Sequence, residues 1–416
     1  MPIKKMPDHA VTMNNPLFVI FAAICLDAVG IGLIFPILPR LLEGVTHTQN
    51  VAPYIGIMTA LYGTMQFVFA PMLGALSDNL GRRPVLLISL AGAAINYVVM
   101  AFAPQLWMLM LGRAIAGLTS ANVSVAMAYI TDISPEDTRA RRFGLFNAMF
   151  GIGFIIGPVL GGLLGDYQLR LPFIAAAVLN ACNLLVALFV LPESRVPARR
   201  KIDPASLNPL RPLRWVFAMK GILPIVLVFF ILSATGEVYG ACWALWGFDT
   251  FRWNGLWIGL SLGAFGICQT LAQAFLPGTA AKRLGERGAV LAGLACSCAA
   301  LIILAFADKS WIVFAIMPVF GLGGIGAPAL QALSSRQVAP DRQGQFQGVL
   351  ASAVSLASII GPLAFSTIYV TVQKRWPGAI WLSVAAIHVL AVPLVLRATR
   401  PARPTENANK ELIGRI

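Results

Sequence analysis

Charge is what this sequence has least of. Asp, Glu, Lys and Arg make up 12% of its 416 residues, about half the share of a soluble domain, so an ordinary water-facing surface is excluded. Histidine is scarcer still: there are three, with no pair at the i, i+4 spacing that places two metal ligands on one helix face. No His-x-x-His, phosphate-cradling glycine loop, Ser/His/Asp set or long polar insertion is present. A polytopic membrane enzyme or receptor needs such a constellation or a sizeable extramembrane domain, so both classes lack support. All six cysteines (Cys25, Cys182, Cys242, Cys268, Cys296 and Cys298) fall inside apolar runs. They read as small packing residues, with neither a disulfide framework nor a metal site expected.

What is abundant is apolar. Hydrophobic residues are 58% of the chain and the mean hydropathy is +0.78. A helix crosses roughly 30 Å of hydrocarbon with about 20 apolar residues, and about twelve such runs can be counted. They start near Leu17, Tyr54, Pro84, Leu106, Phe143, Leu171, Gly221, Gly255, Gly288, Trp311, Phe346 and Gly378. The expectation is an all-α membrane protein of 12 transmembrane helices. The first run is long and lacks a small-residue cleavage pattern, so no cleavable signal peptide is expected. Either Met1 or Met13 can serve as the natural start.

The net charge of +14 is topological. Lys4 and Lys5; Arg82 and Arg83; Arg139, Arg141 and Arg142; the stretch from Arg195 to Lys220; Lys282, Arg283 and Arg287; Arg336 and Arg342; and Arg397 onward all collect at one end of the spans. The other end holds only Arg40, Arg170, Arg252, Lys309, Lys374 and Arg375. The positive-inside rule then places both termini in the cytoplasm, and nucleic-acid binding is not expected. Residues 192–220 carry five prolines and the run Arg199-Arg200-Lys201, as a linker would. The predicted organisation is a tail (1–14), a six-helix bundle (15–191), a cytoplasmic linker (192–220), a second bundle (221–397) and a tail (398–416).

The two bundles look duplicated. Gly74-Ala-Leu-Ser-Asp78-Asn-Leu80-Gly81-Arg82-Arg83 returns as Gly278-Thr-Ala-Ala-Lys282-Arg283-Leu284-Gly285-Glu286-Arg287, about 204 residues later. The same offset carries Gly144 onto Gly348 and Gly157-Pro158 onto Gly361-Pro362. Paired helical units in one chain are a common plan for secondary transporters, with the substrate site between the halves.

Ionisable residues within spans cost a few kcal/mol each at the helix centre. There are three: Asp27, Arg113 and Glu237. Asp27 and Glu237 are candidates for binding a proton or a cationic substrate. Arg113 keeps its charge permanently and would tune or pair with one of them, unless it snorkels to the interface. Asp78 can pair with Arg82 or Arg83, in one charge cluster with Asp132 after the fourth span, and with Gly74 and Gly81 this forms a candidate cytoplasmic gate. Gly153, Gly157 and Gly161 recur every four residues beside Pro158 and Gly162, a small-residue stripe suited to close helix packing.

These motifs carry a family resemblance. Leu26-Asp27-Ala-Val-Gly-Ile-Gly-Leu-Ile-Phe-Pro-Ile-Leu-Pro39 resembles the start of the tetracycline efflux proteins, 12-helix drug:proton antiporters of the major facilitator superfamily. Gly74 to Arg83 is similar to that superfamily's signature between helices two and three, and Gly153 to Gly162 to the motif associated with antiporters. The resemblance extends through Trp107–Gly117, Leu191–Ser194, Gly259–Ala274 and Gly323–Gln337. It implies two pseudo-symmetric six-helix bundles alternating access, and proton-driven efflux of an amphiphilic small molecule across the bacterial inner membrane. It also implies a chain functional as a monomer, with no bound cofactor, although a divalent cation such as magnesium travels with the drug. A tetracycline-type drug is the leading substrate; an exporter of another drug or metabolite, or a proton symporter importing a nutrient, on the same fold is the competing expectation.

The chain departs from that family at three polar positions. Acid, His and acid are expected in the third, eighth and ninth helices, where this sequence has Asn96, Gln269 and Ser297. Conversely, Glu237 replaces a neutral amide. The expected cavity draws on Tyr62, Gln66, Asn96, Asn122, Asn147, Gln269 and Gln273, with Phe150 and Trp243 as apolar walls.

Overall fold

The computed structural model describes residues 15–120, 122–195, 207–210, 222–336, 338 and 342–399, and no strand occurs among them. The first half contains α1 (Asn15–Ile34), α2 (Leu38–Thr46), α3 (Ala52–Leu80), α4 (Arg82–Phe102), α5 (Leu106–Leu118), α6 (Asn122–Ile133), α7 (Glu136–Tyr167) and α8 (Leu171–Val190). The second contains α9 (Leu223–Phe251), α10 (Gly255–Phe275), α11 (Pro277–Ala305), α12 (Ser310–Leu322), α13 (Gly326–Ser335), α14 (Gln343–Val372) and α15 (Ala379–Ala398). Twelve spans result, because α5 with α6 and α12 with α13 each make one crossing and α2 is too short to span. The tails, and most of the predicted linker, lie outside the described residues.

The helix starts follow local chemistry. Pro lies in the first turn of α2, α3, α8, α9 and α11, where its missing N–H costs nothing. Asn254 caps α10 by accepting from the Trp257 N–H. The first apolar run does not remain one helix to Pro39. It ends at Ile34, in a tightened turn where the N–H groups of Phe35 and Ile37 reach back three residues, because Pro36 and Pro39 cannot continue the ladder. The amphipathic α2 then buries Leu38, Pro39, Leu41 and Leu42. At the basic end α7 begins at Glu136, well before its apolar run, since polar first turns project beyond hydrocarbon. By contrast, α11 consists of two helical segments that meet at a kink at Gly285, the second of which enters the apolar run.

The duplication is visible in the backbone. Gly81 (φ 106°) and Gly285 (φ 70°) are the glycines of positive φ among the described residues, and they are equivalent under the 204-residue offset. Each lies at the tight turn leading into the third span of its half, a conformation that disfavours any residue with a Cβ. The fourth span of each half is also interrupted at matching places, after Leu118 and at the 3-10 turn Gly323–Ile325.

Within the first half α1 packs on α7 and α8, α4 on α8, and α3 on α5; in the second, α9 packs on α14 and α15, and α10 on α12. The halves meet along α3 with α14 and along α7 with α10. Glycines set these approaches: a methyl on Gly56 would strike Ser366, on Gly259 the Pro158 carbonyl, and on Gly162 the Gly255 carbonyl. The core shows which end is shut. One buried cluster unites both halves at the α2 end, through Ile37, Leu41, Trp246, Trp253, Tyr369 and Trp381. Towards the basic end it gives way to two separate clusters. One is confined to the first half around Leu86, Tyr129 and Phe146, the other to the second around Val290, Leu330 and Phe346. The bundles are thus joined at the α2 end and parted at the basic end.

Candidate functional site

Three features close the α2 end. Asp166, at the end of α7, accepts from the backbone N–H groups of Gly255 and Leu256, both at 2.9 Å. It thereby caps the first turn of α10 in the other half, where a carboxylate is favoured by the helix dipole. Arg40 of α2 pairs with the same carboxylate at 2.6 Å. On the far side of the interface, Gln373 donates to Asn50 at 3.3 Å. Beneath this seam Glu43, Arg40, Gln49, Asp249 and Gln373 border a pocket also lined by Phe248 and Trp253. Partial burial pushes the Glu43 carboxyl above its ordinary value, and Asp249 adds to this, while Arg40 opposes it.

Inside the first half the polar residues converge. Asp27 on α1 and Arg113 on α5 both act electrostatically on two phenols, Tyr62 of α3 and Tyr97 of α4. The Tyr62 backbone also packs on Gly117, just before the break in the fourth span. Asn96 is buried (3% exposed) with its Oδ1 unpartnered among the described residues. That oxygen lies 3.0 Å from where a Gly112 Cβ would stand, one residue from Arg113. Sequence reasoning identified Asp27, Arg113, Tyr62 and Asn96 but missed Tyr97, whose apolar neighbours make it look like packing.

Inside the second half Glu237 of α9 is half-buried and packs its Cβ and Cγ on Gly361 of α14. One turn from it, Gly240 meets the Phe35 ring of the first half, and Gly236 faces open space. The roof above is aromatic: Phe35 contacts Phe154 edge-on, and Phe154 stacks with Phe150. Tyr239 contacts Trp243, Phe265, Phe320 and Trp381. Trp243 is a core residue, 2% exposed and donating to Ser261. Gln269, Gln273 and Ser297 gather around the 3-10 turn of the tenth span, each against Gly321, Gly323 or Gly324. Gln66 is half-buried and Asn147 exposed. Asn122 opens α6, and its side chain lies outside the described set.

The Gly153–Gly162 stripe is mechanical. Gly153, Gly157 and Gly161 lie against the Cys25, Val29 and Leu33 carbonyls of α1, while Pro158 and Gly162 meet α10. α7 is therefore wedged between α1 and the other half.

At the basic end Arg82 binds Asp78 at 2.8 Å, Asp132 at 3.0 Å and the Ser77 hydroxyl at 3.1 Å. Arg195 joins Asp78 at 2.9 Å. Glu193 accepts from the N–H groups of Arg82 and Arg83, capping α4, and its carboxylate fills the space beside Gly81. Arg83 serves the Leu188 carbonyl instead of Asp78, and a methyl on Gly74 would meet nothing within 4 Å. The second half builds the same device with its signs exchanged: Glu286 stands for Arg82 and Arg336 for Asp132, and these two pair at 2.7 Å. Lys282 likewise stands for Asp78. The inversion is readable from the 204-residue register. These named ion pairs each stay within one half.

A duplicated twelve-span bundle, its core joined across the halves at one end and divided at the other, with charged residues inside its spans, has the architecture of a secondary carrier. The chain belongs to the Major Facilitator Superfamily, whose family model matches residues 20–245 and again 225–415. It is 49% identical to "Tetracycline resistance protein, class C" of Escherichia coli, over 92% of this chain and 97% of that protein. It is 43% identical to the class G protein of Vibrio anguillarum, over 92% and 98%. The crystal structure of the nucleoside transporter NupG superposes with a TM-score of 0.76 at 16% identity, covering 93% of this chain and 99% of that one, which supports the fold.

Proposed function

We propose that this chain exports a tetracycline-type drug from the bacterial cytoplasm in exchange for protons, acting as a monomer in the inner membrane with both termini in the cytoplasm. The basic end is then the cytoplasmic face, and the conformation described is inward-facing. One observation carries the reading: each bundle places one acid, Asp27 or Glu237, within a membrane span, in a molecule whose core unites both halves at the α2 end and divides between them towards the basic end. A carboxylate inside a membrane span is expensive to place, and one that alternates between proton and cationic cargo gives that expense a function. Among the described residues no three His, Cys, Asp or Glu side chains gather into a metal-holding group. A divalent cation such as magnesium would travel as part of the cargo, met by single carboxylates. Transport, with no chemical change to the substrate, is the activity proposed.

The neutral residues Asn96, Gln269 and Ser297 favour a second reading, in which the same carrier exports another drug or metabolite. The two are separated by proton-gradient-driven uptake of magnesium-tetracycline into everted membrane vesicles. Uptake that Asp27→Asn and Glu237→Gln each reduce by about tenfold or more supports the first. No uptake by the well-expressed natural protein selects the second.

A further inference from the structure

Asn96 and Tyr97 are neighbours on α4, yet they reach different helices. Asn96 points at Gly112 of α5, beside Arg113, and Tyr97 at Gly30 of α1. Tyr97 is 4% exposed, and its hydroxyl lies so close over Gly30 that any side chain there would overlap both the oxygen and the ring. Gly30 stands three residues from Asp27, which places the phenol and the carboxyl on neighbouring turns of one helix face. Asp27, Arg113 and Tyr62 all act electrostatically on that phenol. The other helices flanking α1 add no competing charge at this depth. α7 has no acid or base between Arg142 and Asp166, α8 has none from Leu171 to Val190, and α6 has only Asp132 at its far end.

We infer that Tyr97 is a positioning residue for proton exchange at Asp27, and that Gly30 is glycine in order to seat its hydroxyl. The inference rests on the proposed role of Asp27. A phenol O–H near a carboxylate favours the anion, so Tyr97 would help Asp27 release its proton and receive a cationic cargo. A tyrosine that merely filled space would be replaced without consequence by phenylalanine, which keeps the ring and loses only the oxygen.

The test is the pH dependence of magnesium-tetracycline uptake in everted vesicles for the natural protein, Tyr97→Phe, Gly30→Ala and Asp27→Asn. The midpoint is expected to move alkaline by about 0.5–1 pH unit in Tyr97→Phe. Gly30→Ala, which displaces the phenol, should move it the same way. An unchanged midpoint in Tyr97→Phe overturns the inference. If Tyr97→Phe does not transport, proton release on adding magnesium-tetracycline to the purified full-length protein, measured against pH, carries the same comparison with the same two outcomes. Asp27→Asn separates the two failures. If it retains the natural pH profile, the role of Asp27 falls; if it abolishes the titration while Tyr97→Phe leaves the midpoint in place, only the role of Tyr97 falls.

Discussion

At the scale of the residue, the molecule spends its few charges where each has a definite neighbour. Glu43 shows how such a charge responds to pH. It sits on α2 at the closed seam, outside the spans, where burial and then Asp249 raise its carboxyl above the ordinary range against the pull of Arg40. The closed state therefore binds this proton more tightly than a state in which Glu43 is solvated. Closure gains stability as pH falls through the carboxylate range and loses it as pH rises. Cross-linking of Asn50→Cys with Gln373→Cys, whose parent side chains touch across the seam, should accordingly proceed to a greater extent at acidic pH. Glu43→Gln should flatten that dependence, and an unaltered profile in this variant would refute the assignment. Residue identity also shows what the sequence could reveal. Asp27, Arg113 and Glu237 were legible because a charge inside an apolar run needs a reason. Asp166 and Arg40 were not, because charges at span ends are common and only the folded chain brings α7 to the first turn of α10.

At the scale of the element, helix existence was legible and helix extent was not. All twelve spans were visible as apolar runs, since lipid leaves the backbone little alternative to a helix. The extra turns of α7, the Gly285 kink within α11, the separate α2 and the broken fourth and tenth spans depend on polar turns, prolines and glycines that hydropathy averages away. The repeated loop is the most informative element. Arg82 is 9% exposed and serves three partners, whereas its second-half counterpart pair leaves Arg336 73% exposed. Exposed pairs contribute about 0–1 kcal/mol, and removing one partner of a buried pair costs about 3–5 kcal/mol. Arg82→Ala should therefore lower the melting temperature of the purified protein clearly more than Arg336→Ala. Because the second-half pair works with reversed signs, Glu286→Arg and Arg336→Glu should each destabilise, and the double exchange should recover most of the loss. A double variant no better than the worse single one would show that the two side chains do not act as a pair.

At the scale of the whole molecule, the united core at one end and the divided core at the other define one of two states through which a carrier must pass. In this state the α2 seam, the Asp166 cap and the glycine-lined approaches of α3 to α14 and α7 to α10 hold the halves together at the α2 end. Exchange of protons for cargo would draw on the pH gradient and, when net charge moves, on about 2.3 kcal/mol per charge per 100 mV of potential. The sequence conveyed the duplication and the orientation of the charges, but not which mouth is closed, since that depends on contacts between residues hundreds of positions apart. Coupling is the central claim, and the most direct test is to add magnesium-tetracycline to everted vesicles holding an imposed pH gradient, acidic inside, while following the internal pH. Drug-dependent proton efflux, present with the natural protein and lost in Asp27→Asn, is the predicted result. Drug accumulation that leaves the gradient untouched, or that persists once an ionophore has collapsed it, would contradict the account.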